Sequence, residues 1–285
     1  MPRIEPSVGR YIHLTIQGIE YRIFYEEAGQ GIPLIAQHSG GGDGMEWRAL
    51  LTDPEITSKY HVIVPNLPYH GRSLPPESTE WWRQEYQLKK TFFMDFHLTL
   101  SRELGLDRPV YMGCYVGGNL GLNLALEHPD KFRAVIGVGA ALTGGTPTLD
   151  TFYHPNVTND YRRTNGMYFC APTTPEKYRR EVTWCCMQCA APTTKGDLYF
   201  YFYEHNLTGK AHLIDTTKCA VYLFTGDYDA TLSIEDTMAM AKQIKGSKFT
   251  EMKGLNHASM QENPPLFKSY IMPALNEIAA NSAKK

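Results

Sequence analysis

Residues 113–118 read Gly113-Cys114-Tyr115-Val116-Gly117-Gly118, set between an apolar run at 110–113 and a helix-like stretch at 117–127. A glycine two places before a central residue and another two places after it let a strand break sharply into a helix. The central residue is then lifted out of the sheet. Here that residue is Tyr115. A turn this tight needs paired strands beside it and a packed helix behind it, and the surrounding sequence offers both.

Residues 11–16 and 20–25 alternate around Gly18 like an N-terminal hairpin. Short apolar runs follow at 33–37, 61–65, 110–113, 132–137, 220–225 and 248–252. Helical spacing fills about 80–104, 117–127, 234–244 and the stretch from 265. Strands alternating with helices predict an α/β fold with a doubly wound, mostly parallel sheet. From about 143 to 217 the rhythm stops, and the chain becomes rich in Tyr, Pro, Thr and Cys. The expected organisation is a core of residues 1–142 and 218–285 with an inserted cap, 143–217, over the C-terminal edge of the sheet, where ligands bind in such folds.

A net charge of -2 gives no electrostatic reason to expect nucleic acid or an anionic membrane as a partner. Residues 1–14 lack the apolar region of a signal peptide, and no run approaches the ~18 apolar residues needed to span a bilayer. Cytoplasmic residence is the expectation, with the six cysteines as thiols. Cys185-Cys186-Met187-Gln188-Cys189 contains a C-x-x-C but has no second pair at zinc-site spacing, so no metal is expected. There is no dinucleotide-binding glycine fingerprint and no phosphate loop, so no cofactor is expected either. Aromatics make up 12% of the chain and concentrate in its middle third, which fits an apolar ligand pocket. A homodimer stays open.

Taken with three further features, the turn at Tyr115 resembles the α/β-hydrolase superfamily over nearly the whole chain outside the cap. His38-Ser39-Gly40-Gly41 follows the third strand, where that family keeps its oxyanion loop. Leu67-Pro68-Tyr69-His70-Gly71-Arg72-Ser73 is similar to the family's D-x-x-G-x-G-x-S turn, with Asn66 in place of the Asp and Tyr69 in place of a Gly. Gly226-Asp227-Tyr228-Asp229 and Gly254-Leu255-Asn256-His257 fall at the family's acid and base positions, in the order nucleophile, acid, histidine.

The resemblance implies that His257 is a general base or acid, suited to proton transfer near neutral pH. It also implies that Asp229 orients and stabilises the imidazole, with Asp227 as the competing acid. Backbone N–H groups of Val116 and of Ser39 or Gly40 would form an oxyanion hole. His38, Trp184, Tyr199 and Tyr201 are expected to line the substrate pocket, with Trp81 and Trp82 as weaker choices. Cys114, next to the tip, is expected to be a buried structural thiol.

Tyr115 departs from the family's serine. Its hydroxyl lies roughly 4 Å further from the backbone than a serine hydroxyl. With a pKa near ~10, only about 0.1% is phenolate at pH 7, and full ionisation would take about 4 kcal/mol of local stabilisation. Three roles stay open: a phenol that donates a proton or hydrogen bond, a covalent nucleophile as in sialidases, or a plug in an inactive ligand-binding relative or substituted serine enzyme. The expected function is hydrolysis or C–C bond cleavage of a small apolar carbonyl compound: an ester, lactone or β-dicarbonyl. A lyase, isomerase or cyclase on the same scaffold is the alternative within enzymes, and a binding protein the alternative outside them.

Overall fold

Val110–Cys114 and Ala134–Val138 are buried along their whole length, as strands must be when helices cover both faces of a sheet. The computed structural model describes residues 4–147, 149–153 and 166–283. Among these, the strands are β1 (Val8–Ile16), β2 (Ile19–Ala28), β3 (Ile32–Gln37), β4 (Tyr60–Pro65), β5 (Val110–Cys114), β6 (Ala134–Val138), β7 (Ala220–Gly226) and β8 (Lys248–Met252). They form one sheet in the order β1-β2-β4-β3-β5-β6-β7-β8. β2 pairs antiparallel with β1 and β4, and every other neighbour pair is parallel. The mostly parallel α/β sheet expected from the sequence is the one observed.

The longer helices are α1 (Lys90–Glu103), α2 (Val116–Glu127), α3 (Glu176–Gln188), α4 (Ala191–Tyr199), α5 (Ile234–Gln243) and α6 (Pro264–Ser282). Side chains alternate across β5: Tyr111 enters the apolar cluster under α1, α2 and α5, whereas Val110, Met112 and Cys114 enter the cluster under α6. Tyr115, at the C-terminal end of β5, packs against both clusters. The edge of the sheet thus delivers this side chain to the place where both cores end.

Between β6 and β7 the described residues contain α3, α4 and a π-helical turn at Phe200–Glu204, with no strand of their own. An isolated antiparallel bridge pairs Thr143 with Asn206. Within the expected 143–217 span, residues 148 and 154–165 lie outside the described residues.

Two local expectations change. The helix predicted over 80–104 begins only at Lys90, because 84–89 run alongside α4, with Leu88 N–H donating to the Gly196 carbonyl at 2.9 Å. Trp81 and Trp82 sit on an exposed 3-10 turn away from any interior. Residues 197–205 alternate in a way that fits strand or helix equally; 197–204 are helical and His205 ends the turn in an extended conformation. Among the described residues no helix is long and apolar enough to cross a membrane.

Candidate active site

The turn after β5 holds Tyr115 at φ +52, in the left-handed region that disfavours a side chain. Its N–H donates to the Val138 carbonyl at 2.8 Å, and its carbonyl accepts from Asn119 N–H at 2.8 Å, so both flanking elements hold the strain in place. A Cβ on Gly113 would lie 2.4 Å from the backbone of Gly117, which is why the strand can approach the start of α2 only with glycine there.

His257 lies in the loop after β8, buried, with its N–H bonded to the Asn256 side chain at 2.7 Å. Its Nδ1 faces both carboxylate oxygens of Asp229 at 3.2 Å, and the Thr231 hydroxyl lies 2.9 Å from the same nitrogen. Thr231 also donates to Asp229 through its N–H and its hydroxyl, at 2.9 and 2.7 Å. Asp227 instead accepts from Gly254 N–H at 2.7 Å, so Asp229 is the acid that meets the histidine. Burial opposes charge on both members. The Asp229 charge nevertheless raises the His257 pKa, and His257 lowers that of Asp229. The His257 Nε2 makes no hydrogen bond with a described residue.

The Tyr115 ring stands edge-on to His257, centroids 4.7 Å apart, and lies tilted over Tyr201 at 4.3 Å. Burial first, then the Tyr201 phenol that shares a hydrogen bond with it, hold the Tyr115 hydroxyl well above the ordinary phenol range. Tyr115 is therefore a neutral phenol. Phe169 covers the other side of the imidazole at 4.6 Å. These groups meet in a cavity of about 230 Å³ whose wall includes Ser39, Gly40, Glu46, Tyr115, Phe169 and His257.

The glycine loop after β3 spends most of its donors internally. Ser39 N–H donates to Glu46 Oε2 at 2.7 Å, Gly41 N–H to Asp197 Oδ2 at 2.6 Å, and Gly42 N–H to the Ser39 carbonyl at 3.1 Å. Gly40 N–H makes no such bond among the described residues, and neither does Val116 N–H at the start of α2. The two residues are adjacent: a Cβ on Gly40 would meet Val116 Cγ2 at 2.9 Å. Of the expected oxyanion donors, Gly40 and Val116 are free and Ser39 is taken.

The pocket residues expected from the sequence divide sharply. Tyr201 packs against Tyr115, with the two rings tilted at 38°, but is not part of the cavity wall. Nor is His38: its Nδ1 donates to the Ser39 carbonyl at 2.8 Å and its Nε2 accepts from Leu67 N–H at 3.2 Å. Burial lowers its pKa to about 3, so it is a neutral brace for two loops. Trp184 is 62% exposed and faces a shallow outer groove with Met187, because it lies on the solvent side of α3. Tyr199 lines a different groove beside Glu85 and Lys195, with the Lys89 ammonium 3.6 Å over its ring. Cys114 is buried, its thiol donating to the His257 carbonyl at 3.6 Å and pushed far above its usual pKa by burial, while also bordering the cavity floor.

Three residues with clear places were not singled out from sequence: Thr231, Phe169 and Glu46. Thr231 follows Asp229 by two places, the spacing at which a carboxylate caps its own turn. Phe169 carries no local signal in an aromatic-rich stretch. Glu46 stands three residues after Asp43, which reads as ordinary capping of the 3-10 turn Gly44–Trp47.

With the sheet, the turn and the histidine in place, the fold class is defined, and comparison with known proteins agrees. The profile of the alpha/beta hydrolase fold family matches residues 32–184, and the chain belongs to that family. It is 27% identical over 144 residues to the 2-hydroxymuconate semialdehyde hydrolase of Pseudomonas sp. strain CF600, covering 49% of this chain and 46% of that one. It is 28% identical over 151 residues to the 2-hydroxy-6-oxo-6-phenylhexa-2,4-dienoate hydrolase of Burkholderia cepacia, covering 50% of each. The chain thus spans about half the length of the relatives it matches. A thermophilic esterase from Thermogutta terrifontis shares the fold at a TM-score of 0.81, with 17% identity over 95% of this chain and 99% of that chain.

Proposed function

We propose that the protein hydrolyses a small apolar carbonyl compound (an ester, lactone or β-dicarbonyl) by direct attack of water activated by His257, with Tyr115 as a neutral hydrogen-bond donor. One observation carries this reading: a carboxylate-backed histidine borders an apolar cavity together with Gly40, whose N–H makes no hydrogen bond among the described residues. Nε2 takes a proton from water, and the hydroxide adds to the substrate carbonyl. Gly40 and Val116 N–H groups receive the charge on oxygen. The hydrogen bond shared with Tyr201 raises the Tyr115 pKa and lowers that of Tyr201, so Tyr115 is its donor, and on substrate binding the Tyr115 O–H turns from Tyr201 to the ligand oxygen. A phenol held far above its usual pKa is a poor nucleophile and a good donor, which favours this role over an aryl-ester intermediate.

The helical segment between β6 and β7 serves as the cap, contributing Phe169 and Leu198 to the cavity wall and Tyr201 as the ring against which Tyr115 packs, and excluding water. Both relatives are named as hydrolases of unsaturated oxo compounds, which supports a carbonyl substrate. The test is turnover of phenyl acetate and of an aryl β-diketone in labelled water. Label in the acid product, lost with His257→Ala, supports hydrolysis by this histidine. Product without label supports the lyase or isomerase reading instead.

A further inference from the structure

The reaction just described makes no use of Glu46, although this buried residue borders the same cavity as His257 and Tyr115. Both its oxygens engage Ser39: Oε2 accepts the N–H at 2.7 Å and Oε1 contacts the hydroxyl at 2.5 Å. The contact is built into the backbone, since a Cβ on Gly42 would fall 1.9 Å from Glu46 Oε1. Glu46 also borders the groove on the outer side of the turn, together with Met45, Arg48 and Gln261. The side chain therefore joins the interior cavity to a surface groove.

We propose that Glu46 and Ser39 form a second proton-carrying pair, in which the Ser39 hydroxyl donates into the cavity and Glu46 replaces the proton from behind. When Glu46 is protonated on Oε1, the 2.5 Å contact runs from the acid to Ser39 Oγ, and the serine hydroxyl hydrogen turns toward the ligand. Burial supports this state by pushing the carboxyl up to about 7, against the two Ser39 donors that favour the anion. The titratable groups that face Glu46 are Asp43 on its own turn, His257, Cys114 at the end of β5, and Cys185 and Glu181 on α3, and Glu262 in turn faces His257. Glu262 is itself held by Thr174 and by Ala171 N–H, each at 2.6 Å.

The step rests on the hydrolytic reading. As the tetrahedral adduct collapses, the bond from the carbonyl carbon to the leaving oxygen breaks with its electron pair going to that oxygen. Ser39 gives its hydroxyl proton to the leaving oxygen and takes the Glu46 proton. His257, protonated by the attacking water, and Glu46, left as a carboxylate, are restored by net transfer of one proton through solvent. Ser39 is the catalytic donor and Glu46 a positioning residue behind it.

Two measurements on the full chain test this, using Glu46→Gln and Ser39→Ala. Infrared-monitored titration should show a protonated-carboxyl band that vanishes as pH rises through about 7 and is missing from Glu46→Gln. No such difference would overturn the proposal. With phenyl acetate, each substitution should lower kcat by about 10²–10⁴-fold with KM little changed, and the double variant should lose no more than the worse single one. Turnover that proceeds with an unchanged pH profile in folded Glu46→Gln overturns the proposal and leaves the hydrolytic reading standing. A Glu46 band in a protein that turns over no ester leaves the proton pair standing and overturns the hydrolytic reading.

Discussion

The ring of Tyr115 meets that of His257 edge to face, centroids 4.7 Å apart and planes at 73°, with no hydrogen bond joining the phenol to Nε2. A serine hydroxyl at this turn would be placed for activation by the histidine, whereas the phenol reaches past it to Tyr201. The tip residue and the base are thus separate proton-handling groups. Tyr115→Phe keeps both ring contacts and removes only the hydroxyl. It is expected to lower kcat about 10²–10³-fold with KM little changed in steady-state assays on phenyl acetate. An unchanged kcat would show that the ring only fills space.

The His257–Asp229 pair sets the acid limb of activity. Burial lowers the imidazole pKa, and the Asp229 charge and hydrogen bond more than offset it, leaving a net rise above 6.5. Activity should therefore increase with pH through a midpoint above 6.5. Asp229→Asn removes the charge but not the burial, so the midpoint should move down and kcat should fall by up to about 10⁴-fold. Stability follows the same linkage. The His257 contribution is fully present below 6.5 and is lost as pH rises through its raised folded value. The Asp229 contribution is present above 3.8 and is lost as pH falls through its lowered folded value. The melting temperatures of the protein and Asp229→Asn should differ most between those two pH values.

Much of this site is legible in the sequence because tight backbone geometry demands particular residues. Gly113, Gly117 and the chain order Tyr115, Asp229, His257 are enough to mark the turn and the dyad. The pocket is less legible because its lining depends on which face of α3 and α4 turns inward. Trp184 and Tyr199 look like pocket aromatics in sequence and point to other surfaces. The loop donors are also hidden, since Ser39 and Gly40 are adjacent in sequence and only the bond from Ser39 to Glu46 separates a spent donor from a free one.

Asp197 ties the segment between β6 and β7 to the glycine loop. It accepts from Gly41 N–H, from His70 at 2.8 Å and from the Tyr86 hydroxyl at 3.0 Å, with the His70 and Asp197 side chains each 1% exposed. Removing one member of a buried pair strands the other. Asp197→Ala should therefore cost about 3–5 kcal/mol in urea unfolding. Combining it with His70→Leu should recover part of that loss, and a purely additive result would show that the two residues are not coupled.

Gly113→Ala tests the turn itself. The added methyl meets backbone, which has no flexible end to yield, so a loss of about 1–3 kcal/mol is expected by thermal or urea unfolding. A neutral effect would mean that the strand and helix separate easily at this point.

The most direct test of Tyr115 as a neutral donor rather than a nucleophile is intact mass after exposure to a fluorophosphonate, on the protein and on Tyr115→Ser side by side. The expected result is a phosphonyl adduct on Tyr115→Ser alone, because the dyad and the Gly40 and Val116 donors are in place while the phenol is held neutral and away from Nε2. An adduct on Tyr115 in the unsubstituted protein would contradict this and establish an activated tyrosine nucleophile.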